Sequence, residues 1–296
     1  MKNAVIGVVH PFSINYFDEY LSSLNKQSYE NFKLFIFGDR IKYQDIKNLF
    51  DKHNKIDVEF NELNNNLSIS KGRQVALSYV KEKQFENCIF TDTDDLYHKD
   101  YVKFMVSSLS EENNNIVFSD ISLLFPGKKK VNNYFKKCGV PNKVNLDFLF
   151  EKNCIGLGHS GIKINLYDED IVFPDDIVVV DWWLFSVLME RNNCTASFID
   201  KSLIYYRQYE ENTAGFLNLD EKKILQGLKV KMVHYKSLIK FNDKYEKYYD
   251  IFNQFIVKIN DDEEFRKKYV KHIRSQFKDK LYLWWEFAKP VTNIKD

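Results

Sequence analysis

Four short strand-like segments, three of them apolar runs, set the strongest limit on how this 296-residue chain can fold. They are "AVIGVV" (4–9), "FKLFIFG" (32–38), "DVEFNEL" (57–63) and "NCIFTD" (87–92). Continuous apolar runs of this length mark strands covered on both faces. The segments between them carry a different period. Ile14, Phe17, Leu21 and Leu24 recur at three- and four-residue steps, with Ser13 placed to cap that helix. Ile41, Ile46, Leu49 and Phe50 mark a second helix, and Val75, Ala76, Tyr79 and Val80 face inward on a third. A βαβαβαβ order predicts an α/β fold: a Rossmann-like, mostly parallel sheet flanked by helices. Ligands of such sheets bind beyond the carboxyl ends of the strands.

After residue 100 the alternation loosens. "NNIVFSDISLLFPGKKKVNNYF" reads as strand, turn and antiparallel strand, with "GKKK" (127–130) as a solvated turn. "VNLDFLFEKN" and "DWWLFSVLMER" read as helices, "TASFID" and "SLIYYRQ" as two strands. From 216 the pattern is helical. Leu225, Leu228, Met232, Tyr235 and Ile239 form one stripe, and Tyr248, Ile251, Phe252 and Phe255 a second. This divides the chain into 1–215, with halves 1–100 and 101–215, and a C-terminal helical extension, 216–296.

Composition narrows the partners. With 44% hydrophobic residues, 16% aromatics and a net charge of +1, the chain can bury a sizeable core and has no basic excess to suggest nucleic acid. Its four cysteines, Cys88, Cys138, Cys154 and Cys194, form no CxxC pair, which fits reduced thiols and a cytoplasmic setting. No run approaches the roughly 18–20 apolar residues of a membrane span, and "MKNAVIGVVHPFS" has no cleavage pattern.

The chemistry concentrates in "FTDTDD" (90–95), where Asp92, Asp94 and Asp95 crowd the end of a buried strand. Side chains alternate there, so Asp92 and Asp94 point the same way. Two such carboxylates can hold Mg²⁺ or Mn²⁺, whose open positions accept phosphate oxygens. A solvated acidic turn, with Asp95 capping the next helix, is the plainer alternative. Asp39 ends the second strand on the same sheet edge, where it can accept from a base N–H or ribose hydroxyls, or cap a helix. Arg73 opens the third helix, where anions gather, or is an exposed helix arginine.

The set of motifs resembles the family-2 type glycosyltransferases of the GT-A fold. The matching stretches are "VVHPFSINYFDEYLSSLNKQSYENFKLFIFGD", "SISKGRQVAL" and "FTDTDD", and the likeness spans about residues 3–215. "PFSI" stands for the usual "PTYN", "GD" for the usual acidic pair and "GRQ" for "ARN". The resemblance implies a metal-dependent, inverting enzyme with a UDP-, dTDP- or GDP-sugar donor and a glycan or lipid-linked saccharide acceptor, working in surface polysaccharide synthesis. It implies that Asp94 ligates the metal with Asp92 close, and that Asp92 reaches the ribose or a metal-bound water. Asp39 contacts the base with Arg73 nearby, Val9, Pro11 and Ser13 line the nucleoside pocket, and Thr93 lies within the same donor site.

For the acceptor side, "DIVVVDWWLFSVLMER" resembles the segment where an acidic residue opens a helix. Asp181 is the candidate general base, with helix capping as its plainer role and Asp175 and Asp176 as competitors. Gly158, His159 and Ser160, in "IGLGHSG", are candidates to line the sugar and acceptor site. "YYRQYEENTAG" resembles a family "Y-R-x-H-x-x-N" segment. Arg207 or Gln208 is placed to reach the diphosphate, Asn212 or Thr213 to order the loop, and Tyr209 stands where His is usual. Either Trp182 or Trp183 can stack on a sugar, or both are core. The tail "FKDKLYLWWEFAKP" (277–290) can pack on the catalytic domain, form a homodimer, or touch the inner face of a membrane. Two rivals stay open: a nucleotidyltransferase, disfavoured by the missing Gly-rich loop after the first strand, and a non-catalytic nucleotide- or glycan-binding scaffold.

Overall fold

The computed structural model describes residues 2–128, 130–209, 212, 219–277 and 281–291. Thr213, Lys129 of the "GKKK" turn and the boundary near 215 lie outside the described residues.

The first half follows the alternating pattern. Strand β1 (Asn3–Val9), helix α1 (Phe17–Leu24), β2 (Lys33–Gly38), α2 (Tyr43–Lys52), β3 (Val58–Glu62), α3 (Ile69–Glu82) and β4 (Asn87–Asp92) succeed one another. β1 pairs in parallel with both β2 and β4, and β2 with β3. β1 is buried along its whole length, as a strand covered on both faces must be. Ser68 caps α3, its hydroxyl accepting from the Lys71 N–H. Val75 breaks the expected inward pattern: it is 43% exposed, because the buried face of α3 runs through Gly72, Ala76 and Val80 instead.

The second half adds β5 (Leu96–Tyr97), α4 (Tyr101–Leu109), β6 (Ile116–Leu124), β7 (Lys130–Val131), α5 (Tyr134–Lys137), β8 (Lys143–Val144), α6 (Leu146–Glu151), β9 (Ser160–Lys163), α7 (Val180–Asn192) and β10 (Ala196–Arg207). The sheet runs β3-β2-β1-β4-β9-β6-β10-β5, with β7 on β6 and β8 on β10. β9 is antiparallel to both β4 and β6, and β6 is parallel to β10. Two reversals through β9 restore direction, so β10 ends on the same sheet edge as β1, β2 and β4. β7 returns antiparallel on β6, as expected. The two strands expected over 195–208 are one strand, β10, whose register slips between Ile199 and Ile204. Such a bulge lets a strand bend without breaking.

α7 is buried on every side, which its apolar run from Trp182 to Met189 foretells. Helices α8 (Glu221–Leu238), α9 (Lys244–Asp261) and α10 (Glu263–Phe277) follow. Leu228, Tyr235 and Phe252 are buried as their stripes predict, whereas Ile251 is exposed. The chain then leaves the helical pattern. Residues 281–291 return to the sheet domain, and Trp284 forms an antiparallel bridge with Asn153. Tyr134 donates its hydroxyl to the Tyr282 carbonyl, and Lys152 pairs with Glu286 at 3.4 Å. Tyr282, Leu283, Trp284, Trp285 and Phe287 are all buried against the chain itself. Among the described residues no helix is long and apolar enough to cross one.

Candidate active site

The shared strand ends surround one cavity of about 650 Å³. Asp92 is the last residue of β4 and pairs in register with Val8. Past it the side chains alternate: Asp92 and Asp94 line the cavity, and Thr93 turns away. The buried Thr93 hydroxyl lies 2.9 Å from the Val8 carbonyl and 2.9 Å from the Ser13 hydroxyl. Thr93 and Ser13 are therefore internal ties, not ligand contacts. Ser13 also accepts from the His10 N–H and caps no helix. The same alternation corrects the nucleoside loop by one residue. Val8, His10 and Phe12 line the cavity, while Val9 is buried in β1 and Pro11 is exposed to solvent outside it.

Arg73 reaches from α3 and donates to Asp92 Oδ1 at 3.0 Å. Burial still pushes the Asp92 carboxyl up, with Arg73 opposing and the Asp94 charge adding. Asp95 is buried. Its Oδ1 accepts from the Arg207 N–H at 2.8 Å, and its Oδ2 has no partner. Burial, then the charges of Asp94 and Asp92, hold the Asp95 carboxyl well above the usual range. Asp95 caps no helix, since α4 begins six residues on.

Arg207 is not a ligand contact. Its Nε donates to the Asp94 carbonyl at 2.9 Å, its Nη2 pairs with Glu19 at 2.6 Å, and its guanidinium lies 4.3 Å over the Tyr16 ring. It clamps the acidic turn from behind. Tyr209 lines the cavity and donates to Asp94 Oδ2 at 2.5 Å. Burial and the Asp94 charge push that phenol far up, so it stays a donor. The Asn212 side chain accepts from the Tyr209 N–H at 2.7 Å.

Asp39 lines the cavity beyond β2, held in a two-pronged pair with Arg40 at 3.0 and 3.1 Å. Across the cavity, Asp181 lies in the first turn of α7, accepting from the Trp182 N–H at 2.7 Å and from Asn153 Nδ2 at 3.4 Å. Burial pushes its carboxyl up to about 7, the Asp92 charge adding to the rise. Asp175 and Asp176 line the exposed rim, where Asp175 accepts from Ser68 at 2.9 Å.

Gly158 is where only glycine fits: a Cβ there would lie 2.4 Å from Asp92 Oδ2. His159 lines the cavity too, but its Nε2 accepts from the Gly156 N–H, and burial lowers the ring to about 3. It is a neutral, structural histidine. Ser160 is fully buried in β9 and lies off the cavity wall. Trp182 and Trp183 are both fully buried. Trp182 stacks on His234 at 4.0 Å and donates to the Leu149 carbonyl at 2.7 Å, so it has no access to a sugar. The cavity's tryptophans are Trp284 and Trp285, from the C-terminal segment. Their signal was the aromatic tail. Asn153, a lone Asn before a Cys, gave none.

Among the described residues no three His, Cys, Asp or Glu side chains converge as a self-sufficient metal cage. Asp92 and Asp94 fit a hard cation that takes one or two carboxylates and completes its shell with phosphate and water oxygens. The Asp95 Oδ2, buried beside them, has no partner of its own.

A mostly parallel sheet, helices on both faces, a strand-end acidic turn and a facing acid at a helix start define the GT-A fold of nucleotide-sugar glycosyltransferases, and this chain has that fold. No protein-family model matches it. It is 29% identical over 146 residues to the dTDP-rhamnosyl transferase RfbG of Shigella flexneri, a match covering 46% of this chain and 48% of that protein, so it spans about half the length of this relative. The crystal structure of S. aureus TarS 1-349 with UDP-GlcNAc superposes with a TM-score of 0.60 at 20% identity, over 85% of this chain and 72% of that one. The mannosyltransferase PcManGT of Pyrobaculum calidifontis, with GDP-Man and Mn²⁺, gives a TM-score of 0.60 at 13% identity, over 80% and 64%.

Proposed function

We propose that this chain is an inverting, metal-dependent glycosyltransferase that moves a sugar from a nucleotide-sugar donor to a glycan or lipid-linked saccharide acceptor in surface polysaccharide synthesis. One observation carries the reading. A single cavity is lined by the strand-end carboxylates Asp92 and Asp94 and by Asp181 from the first turn of α7. The relatives support the donor class, being a dTDP-rhamnosyl transferase and structures holding UDP-GlcNAc or GDP-Man. Residues 1–100 would bind the donor and 101–215 the acceptor, with 216–296 as the appended helical part.

The residues divide the work by position. Asp94, with Asp92, would hold Mn²⁺ or Mg²⁺, and Arg73 fixes the Asp92 carboxylate for that task. When bound, the cation neutralises charge on the departing nucleoside diphosphate. Asp39 and His10 stand where the nucleoside would lie. Asp181 takes the proton from the acceptor hydroxyl as its oxygen attacks the anomeric carbon. A carboxyl near 7 suits that task, because such a base is substantially ionised at neutral pH and still basic enough to accept.

A thermal-shift screen of nucleoside diphosphates and nucleotide sugars, with and without Mn²⁺, tests the reading. We expect a metal-dependent stabilisation selective for one base, followed by transfer or slow donor hydrolysis. Nucleotide binding with neither transfer nor hydrolysis would return the chain to the scaffold reading.

A further inference from the structure

We infer that Asn153, Trp284 and Trp285 form a saccharide subsite beside Asp181, with the C-terminal segment supplying its aromatic wall. The inference rests on the proposed transferase reading and deepens it, since it assigns the chemistry of the acceptor.

The segment reaches the site by a specific route. Trp284 bridges to Asn153 backbone to backbone, and Asn153 in turn donates to Asp181. Gly156 leaves room for this approach: a Cβ there would lie 3.0 Å from the Trp284 ring and 2.8 Å from His159 Nε2. Trp285 adopts a left-handed backbone, φ 63°. A bulky side chain takes that conformation only where its surroundings hold it there, and such positions cluster at ligand clamps.

Two polar atoms of the bridged pair Asn153 and Trp284 lack partners, as does His159 Nδ1 beside them. Asn153 is 1% exposed and its Oδ1 accepts nothing; Trp284 is 5% exposed and its Nε1–H donates to nothing. Both residues line the cavity. Buried, unpaired polar atoms are rare in folded proteins, and a pair of them at a cavity wall points to a ligand. One is an acceptor and the other a donor, so the ligand must offer both functions. A phosphate anion is repelled by Asp181 and Asp92. A hydrocarbon satisfies neither atom. An ammonium satisfies Asn153 and leaves the indole unpaired. Sugar hydroxyls do both, and the C–H face of a pyranose packs on indole rings. A saccharide seated here presents a hydroxyl to Asp181.

The test uses the full chain with ¹⁵N-labelled tryptophan. The Trp284 indole N–H resonance is assigned by its loss in Trp284→Phe. The probes are methyl α-L-rhamnoside, methyl α-D-glucoside, methyl β-D-N-acetylglucosaminide and inorganic phosphate. We expect at least one glycoside to move the Trp284 resonance saturably and phosphate to leave it unmoved. Asn153→Ala, read on the Trp284 resonance, and Trp284→Phe, read on the Trp285 indole resonance, should each weaken that binding by about tenfold, the loss of one hydrogen bond, with the melting transition still cooperative. A resonance moved by phosphate alone, by no probe, or with equal affinity in both variants overturns the subsite. Nucleotide binding is measured separately on the parent protein. If glycosides bind and no nucleotide does, the transferase reading fails while the subsite stands.

Discussion

Gly158 backs directly onto Asp92, with no room for even a methyl group between them: a Cβ at 158 would fall 2.4 Å from Asp92 Oδ2. The glycine decides where the carboxylate can point. Gly158→Ala should push Asp92 off its Arg73 partner. Transfer should fall by about 10²-fold, the scale of a misplaced catalytic group. The Mn²⁺-dependent part of the nucleotide thermal shift should shrink with it, and an unchanged shift would remove Asp92 from the metal site.

Asp181→Asn separates binding from chemistry. The variant should keep its nucleotide-induced thermal shift while transfer drops by roughly 10²–10⁴-fold, the usual range for losing a general base.

The pH profile of the parent follows from the same carboxyl. With Asp181 at about 7, the working base is protonated below that value. The kcat/KM should therefore rise with pH up to about 7 and level off above it. The stability effect has the opposite sign. The folded carboxyl is raised above its unfolded range, so this group costs stability as pH climbs from about 4 to about 7. Asp181→Asn should accordingly melt higher than the parent at pH 8, measured side by side, and lose that advantage at pH 4.

Tyr209→Phe removes the hydroxyl that orients Asp94. Groups that aim a metal ligand typically matter by about 10–100-fold in metal affinity. The Mn²⁺ concentration that gives half-maximal transfer should rise by at least about tenfold, with kcat at saturating metal less affected. A metal titration of both proteins reads this directly.

Two buried histidines set the acid limit. Burial lowers His159 to about 3 and holds His234 well below its usual range. Their neutral forms are favoured by folding, so stability is present above about 6.5 and drains as pH falls toward the folded values. Each can cost about 2 kcal/mol between pH 6.5 and 5 at the linkage limit of about 1.4 kcal/mol per pH unit. His234→Gln should flatten part of that slope in urea unfolding, and an unchanged slope would show that His234 takes up no proton on unfolding.

The sheet was legible because β1, β2 and β4 are buried on both faces and are written as unbroken apolar runs. Alternation then made Asp92 and Asp94 readable as neighbours, and the helix start made Asp181 readable. The misses share one cause, because adjacent residues cannot be told apart without the strand or helix register. Val9, Pro11 and Ser13 yielded to Val8, His10 and Phe12, and Trp182 faced His234 instead of the cavity. Arg207 was placed correctly near the acidic turn, but its donors go to the Asp94 carbonyl and Glu19. The pairing of Asn153 with Trp284 was beyond reach, since 131 positions separate them and only the folded chain brings them together.

That bridge also imposes an order of events. A polypeptide emerging from the ribosome carries Asp92, Asp94 and Asp181 long before residue 284 is made. The wall beside Asp181 arrives only when residues 281–291 have been made and have docked. A chain shortened before that point, by a premature stop or a protease, would keep its acidic turn and lack the surface beside the base. On the proposed reading, such a fragment would take up donor nucleotide with nothing held in place to receive the sugar.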